Sequence, residues 1–219
     1  MNRAIICFTR VPRPGLTKTR LMPLLSPEQC AALHTAMLQD IAEVYGKSPA
    51  DLFIAYAPDD DIQPLRDIFT AAKEFFPQQG SGLGERMHNA IAYVLSLGYG
   101  KVILTGSDLP RLTPHHLEKA FAALDGADVA IGPTWDGGYY LIGMKQPCCA
   151  AFSVQGYGGS TVYQSTINAI GQAGLTCAAP PSCDDLDTPE DLRFFAKEVR
   201  PNSRTMQYIH QLVKEGISL

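Results

Sequence analysis

The chain alternates short apolar strands with amphipathic, capped helices from one end to the other, and this alternation constrains its fold more than any other feature. Arg3 to Thr9 (RAIICFT), Leu52 to Tyr56, Val102 to Thr105 and the apolar stretches within Val129 to Met144 read as strands, with Leu175 to Ala179 as a last short one. Helical signals stand between them. Ser26-Pro27-Glu28-Gln29 supplies an N-cap, a proline at the first helical position and a capping glutamine for a helix running towards Tyr45. Its inner side carries Ala32, Leu33, Ala36 and Met37. Further helices are expected over 62–72, 85–97, from Thr113-Pro114 to Leu124, over 160–173 and from Thr188-Pro189, with a helical tail beyond Pro201. Phe75 to Pro77 reads as extended, and Gln155 to Gly159 as a glycine-rich connection. Strands that alternate with helices make a mostly parallel sheet covered on both faces. The expected fold is α/β: one three-layer α/β/α domain over 1–219 with a mostly parallel, mixed sheet.

Composition narrows the class. At 219 residues, with 46% hydrophobic and 18% charged, the chain can bury a full core without staples. A formal charge of −4 argues against a nucleic-acid surface. No run reaches the length of a membrane span, and Met1 leads into a strand rather than a signal peptide. The six cysteines form no C-x-x-C, which suits reduced thiols in a cytoplasmic protein.

Ligands of such sheets collect beyond the carboxyl ends of the strands. Four stretches there carry chemistry. In Lys101 to Pro110 (KVILTGSDLP) a buried strand runs into a turn that sets Asp108 at the crevice, as a turn former or a ligand. In Val129 to Met144 (VAIGPTWDGGYYLIGM) an acidic, glycine-rich turn, Asp136-Gly137-Gly138, lies between two strands. Two successive glycines suggest room kept for a ligand, and Trp135 and Tyr139 read either as a face for a sugar ring or as core aromatics. The loop after the first strand, Arg10 to Arg20, gathers Arg10, Arg13, Lys18 and Arg20 with threonine hydroxyls, a set suited to phosphate oxygens. Finally, Asp184-Asp185-Leu186-Asp187-Thr188-Pro189 starts a helix well, yet has more aspartates than capping needs. If the sheet brings Asp187 to Asp108, the pair suits a hard divalent cation.

Other chemistries lack their patterns. There is no G-x-x-x-x-G-K-[ST] and no G-x-S-x-G, and Gly80 to Gly84 lacks the last glycine of a dinucleotide fingerprint. His115 and His116 occupy adjacent helical positions, point apart, and read as surface residues.

KTRL at 18–21, LGERM at 83–87, GSDLP at 106–110, GP-x-x-DGGYYLIG at 132–143 and DLDTPEDL at 185–192 together resemble the nucleotide-diphospho-sugar transferase superfamily, with its GT-A-type α/β fold. Within it the chain is similar to a bacterial branch of small glycosyltransferases, some assigned by inference to arsenosugar biosynthesis. It is also similar to the phospholactate guanylyltransferases and molybdenum-cofactor nucleotidyltransferases. The resemblance implies that Phe8 and Thr9 edge the base and that Arg13, Lys18 and Arg20 meet the phosphates. It implies that the loop with Gly82 and Arg86 flanks base or ribose. Asp108, with Asp187 as a second ligand or outer partner, would hold Mg²⁺ or Mn²⁺. Asp136, Gly137, Gly138 and Tyr139 would lie on the sugar or acceptor side, with Asp136, Lys18 and Arg20 as the catalytic set. The chain departs from the usual D-x-D of glycosyltransferases, keeping the single Asp108, and replaces the G-x-G-x-R start of sugar-phosphate nucleotidyltransferases with a proline-rich loop. The leading expectation is a metal-dependent glycosyltransferase using a nucleotide sugar and a small-molecule acceptor. The alternatives are a nucleotidyltransferase joining a nucleoside triphosphate to a phosphorylated small molecule, and a nucleotide-binding regulatory protein without turnover.

Overall fold

A computed structural model of the chain describes residues 2–59, 61–154, 156–197 and 202–218. Asp60 in the acidic run after the second strand, Gln155 in the glycine-rich connection and Pro201 at the start of the tail lie outside the described residues.

Seven strands form one sheet: β1 (Arg3–Thr9), β2 (Asp51–Tyr56), β3 (Glu74–Pro77), β4 (Lys101–Thr105), β5 (Val129–Pro133), β6 (Tyr139–Met144) and β7 (Cys177–Ala178). Their order is β3-β2-β1-β4-β6-β5-β7. Only β6 runs against its neighbours, β4 and β5; the other pairings are parallel. Every residue of β4 is buried, as a strand covered on both faces requires. Alternate residues serve the two faces. Ile5, Cys7 and Ile103 join one core, Ala4, Ile6, Val102 and Leu104 the other.

Helices α1 (Pro27–Gly46), α2 (Gln63–Ile68) and α4 (Pro114–Gly126) cover the first face, through Leu38, Ile41, Leu65, Phe121 and Leu124. Helices α3 (Leu83–Ser96) and α5 (Val162–Gln172) cover the second, through Met87, Ile91, Val94 and Ile170. The far side of α1 is apolar as well. There Leu33 and Met37 meet Leu192 and Phe195 of α6 (Pro189–Ala196) and Met206, Ile209 and Leu212 of α7 (Arg204–Lys214). Burial of each such side chain stabilises by about 1.5–3 kcal/mol, and this outer cluster fixes the C-terminal helices on α1. Asp40 of α1 adds a cap, accepting from the Thr205 N–H at 2.8 Å and the Thr205 hydroxyl at 2.6 Å.

The caps at Ser26, Thr113 and Thr188 all form, each as a reciprocal box with the third residue of its helix. Boundaries differ where side chains turn into the core. The helix expected over 62–72 ends at Ile68, because Phe69 leaves the helix to become 1% exposed. α3 begins at Leu83, two residues early, with Gly82 as its N-cap. His116, read as a surface residue, is half-buried: it closes the Thr113 box through Nδ1, and its Nε2 lies 3.2 Å from the Ser182 carbonyl.

The β5–β6 turn is built around Gly137, at φ 87. A Cβ there would sit 1.9 Å from the Ser160 carbonyl oxygen, so the chain itself fills the space beside this glycine. Gly137→Ala should therefore destabilise the protein by more than the about 1–2 kcal/mol of a left-handed L-residue alone. Gly98→Ala, at φ 92 with open space around it, should show only the backbone cost. Chemical denaturation of the two variants against wild type measures the difference.

Candidate active site

Strand order reverses at β1, whose neighbours are β2 and β4, and the crevice of an open α/β sheet lies at such a point. The register pairs Cys7 with Thr105, so the loops leaving β1 and β4 emerge side by side. Because β6 is antiparallel, its first residues lie at the same end, with Leu141 opposite Thr105. These three segments and the start of α3 enclose a cleft of about 590 Å³. Phe8, Thr9, Arg10, Lys18, Arg20, Arg86, Asp108, Tyr139 and Asp187 all line it.

Lys18 is at its centre. Its ammonium is 2.5 Å from Asp108 Oδ1 and 3.2 Å from Asp187 Oδ1, and it donates to the Leu186 carbonyl at 2.5 Å. The side chain is 2% exposed, whereas both carboxylates are more than a third exposed and face the cleft. Asp187 reaches this position because the Leu186 N–H donates to the Asp108 carbonyl at 2.9 Å. Asp191, not Asp187, closes the cap of α6, which leaves the Asp187 side chain for Lys18 and for Arg20 at 3.3 Å.

A buried histidine ties the two loops beneath this group. His34 Nδ1 is 2.6 Å from the Thr17 hydroxyl, and its Nε2 is 3.4 Å from the Ser107 hydroxyl. Burial pushes the imidazole down to about 4, with the positive charges of Lys18 and Arg10 acting in the same direction and Asp108 opposing. At neutral pH it is uncharged. Burial raises Asp108, but Lys18, His34 and Arg10 outweigh it and hold the carboxyl below its ordinary range. The carboxylate is therefore ionised at neutral pH.

The other expected residues fall into two groups. Gly82 opens α3 beside the cleft, and Arg86, one turn on, donates to the Gly80 carbonyl at 3.0 Å. Arg13 is not brought to the cleft. Its guanidinium grips Asp59 with bonds of 2.7 and 2.8 Å and lines a separate hollow with Leu16 and Tyr56. Asp136 is likewise outside the lining: its Oδ1 accepts from the Gly138 N–H at 3.0 Å and the Thr134 hydroxyl at 2.5 Å. Its carboxylate shapes the turn. Trp135 is 85% exposed and packs in no core, whereas Tyr139 lines the cleft and packs against the second core, with its buried hydroxyl beside that of Tyr157. Nearby, burial together with the charges of Asp136 and Asp187 raises Asp185 to about 6.

Among the described residues no three His, Cys, Asp or Glu side chains group to hold a metal. Two hard carboxylates converging on one cation do fit Mg²⁺ or Mn²⁺, which complete their shells with water and substrate phosphates. The sequence does not single out His34, Ser107 or Gln78, and it offers the Thr17 hydroxyl to phosphate rather than to His34. The amide of Gln78, 7% exposed, donates to the carbonyls of Thr9 and Ala55 at 2.9 and 3.0 Å and so fixes the cleft floor. The available signal for His34 was a polar residue on the otherwise apolar inner face of α1.

His34 gives the fold a pH dependence of definite sign. Its folded value lies below the ordinary 6.5, so the unfolded chain binds the extra proton. Its contribution to stability is complete above pH 6.5 and is lost as pH falls towards 4, by up to about 3 kcal/mol. Denaturation midpoints of His34→Gln should lack that part of the acid loss between pH 6.5 and 4.5 that wild type shows.

A protein from Desulfovibrio desulfuricans G20, described as a candidate nucleotide-diphospho-sugar transferase, is 32% identical to this chain. Its structure matches with a TM-score of 0.88 over 98% of each chain. The 2-phospho-L-lactate guanylyltransferase of Methanoregula boonei is 29% identical over 82% of this chain and 77% of its own. A CMP:2-keto-3-deoxy-manno-octonic acid synthetase solved with CTP shares the fold at a TM-score of 0.56 and 11% identity, over 98% of this chain and 100% of its own. The profile of a family described as "Uncharacterized protein conserved in bacteria (DUF2064)" matches residues 40–158. The chain is thus a transferase of the nucleotide-diphospho-sugar transferase superfamily and belongs to the DUF2064 family.

Proposed function

We propose that this transferase is a nucleotidyltransferase. It moves a nucleoside monophosphate, GMP by first choice, from a nucleoside triphosphate to the phosphate of a small phosphorylated molecule and releases pyrophosphate. The observation that carries this reading is the make-up of the cleft: Arg10, Lys18, Arg20 and Arg86 line it with Asp108 and Asp187, while Asp136, expected on the acceptor side to orient or deprotonate a hydroxyl, does not. A phosphate acceptor is already an anion near neutral pH and needs no base. It needs cations that lessen its repulsion from the triphosphate. The guanylyltransferase names of relatives that align over most of the chain support the same choice, and weigh against the glycosyl transfer expected from sequence.

In this reading Phe8, Thr9 and Gly82 flank the base, and Arg86 the ribose or α-phosphate. An oxygen of the acceptor phosphate attacks the α-phosphorus in line, the bond to the bridging oxygen breaks, and pyrophosphate leaves. Arg20 and Lys18 stabilise the charge that gathers on the leaving group. Asp108 and Asp187 would hold Mg²⁺ or Mn²⁺, which when bound neutralises phosphate charge. Tyr139 stands on the acceptor side, and Asp136, Gly137 and Gly138 hold the turn that places it. A second reading, glycosyl transfer from a nucleotide sugar in the same cleft, is favoured by the description of the Desulfovibrio protein alone.

The test offers the purified protein each of the four nucleoside triphosphates with a panel of phosphorylated 2-hydroxy acids and Mg²⁺, and nucleotide sugars in parallel. Pyrophosphate release dependent on acceptor is expected. Release of nucleoside diphosphate from a nucleotide sugar would support the second reading, and release of neither would sink both. Arg20→Ala should weaken GTP by about 10–100-fold, the range of one charge-assisted contact, and free guanosine little. Asp136→Asn should cut turnover by far less than the about 10²–10⁴-fold of a lost general base.

A further inference from the structure

Resting on the reading of this cleft as a site for nucleotide phosphates, we propose that Lys18 is its resident cation. The ammonium occupies the Asp108–Asp187 pair, excludes a divalent ion from the unloaded cleft, and gives way only when nucleotide phosphates arrive to receive it. Metal and nucleotide then enter together.

An ammonium has three protons to donate, and Lys18 has three acceptors within reach: Asp108 Oδ1, Asp187 Oδ1 and the Leu186 carbonyl oxygen. At 2% exposure it has almost no contact with solvent. Held this way it cannot also bind a phosphate, although it lines the cleft where phosphates would lie. The charges close locally as well. Arg20 stands 3.3 Å from Asp187 Oδ2, so two carboxylates face two side-chain cations. A divalent ion added to that balanced group would gain no net attraction, and among the described residues no third carboxylate or imidazole joins the pair as a metal ligand. Nucleotide phosphates supply the missing negative charge and oxygen ligands at once, and give Lys18 a new partner.

The backbone is set for the exchange. Lys18 is the one non-glycine residue at positive φ among the described residues, at 51, a conformation unfavourable for an L-residue. Thr17, on one side, is tied to His34, and on the other the Leu21 N–H donates to the Lys18 carbonyl at 2.9 Å. The loop is clamped at both ends, and the strained residue between them carries the ammonium. Moving the ammonium to a phosphate requires breaking its bonds to Asp108, Asp187 and Leu186.

Mn²⁺ alone, titrated into the full chain without nucleotide and followed by the paramagnetic signal of free ion, tests this directly. Wild type should bind weakly. Lys18→Met should bind at least about tenfold more tightly, because the competing internal charge is gone. Lys18→Gln is the second variant should the first not fold, since it keeps a donor for the Leu186 carbonyl. Adding Asp108→Asn to either variant should return Mn²⁺ affinity to the wild-type level, which locates the ion at the pair. Equal or weaker Mn²⁺ binding by a folded Lys18 variant overturns the proposal, as does tight binding that survives Asp108→Asn. No turnover is involved, so a failure here stands apart from a failure to release pyrophosphate, which would instead sink the nucleotidyl reading.

Discussion

The buried ammonium of Lys18 joins three parts of the chain that lie far apart in sequence. It takes one carboxylate from the loop after β4, another from the segment before α6, and belongs itself to the loop after β1. An ammonium at 2% exposure would be costly to keep charged without such partners. The carboxylates are costly to bring together without it. Each therefore depends on the others, and the cleft takes its shape from that dependence. His34 reinforces the join from below as an uncharged strut between Thr17 and Ser107, adding hydrogen bonds without disturbing the charge balance above.

The sheet explains why these loops meet. Parallel strands all deliver their following loops to the same end, and the reversal of order at β1 leaves a gap there rather than a covering connection. The antiparallel β6 inverts the rule locally, bringing the beginning of a strand, Tyr139, to an end otherwise made of strand exits. The C-terminal helices stack on the far side of α1, away from the sheet, and so hold α1 and the aspartate segment without obstructing the cleft.

Function follows from which charges line that opening. Cations predominate on the walls, the carboxylates are engaged with Lys18, and Asp136 is committed to its own turn. Such a site is better suited to bringing two phosphates together than to deprotonating a sugar hydroxyl. This is the chemical reason for preferring nucleotidyl transfer on a fold that serves both reactions.

Local patterns in the sequence determined a good deal. The strand–helix alternation, the capping box at Ser26, the helix start at Thr188 and the buried β4 depend on residues adjacent in the chain, and they formed as their spacing implied. The loop of Lys18 and Arg20 and the turn of Asp108 lie where strand exits put them, because a strand's direction is a local property. What the tertiary structure decided is pairing across distance. Arg13 and Lys18 lie five positions apart and look alike in sequence, yet one is held by Asp59 and the other by Asp108 and Asp187. Asp136 and Asp187 both sit in acidic turns, and only the register of β6 and the course of the 184–187 segment separate their roles. His34 lay hidden in a helix face where only packing reveals that a polar atom has partners. Charge and hydrogen bonding act through space at a few ångströms, so they are settled only once the sheet has fixed which loops are neighbours.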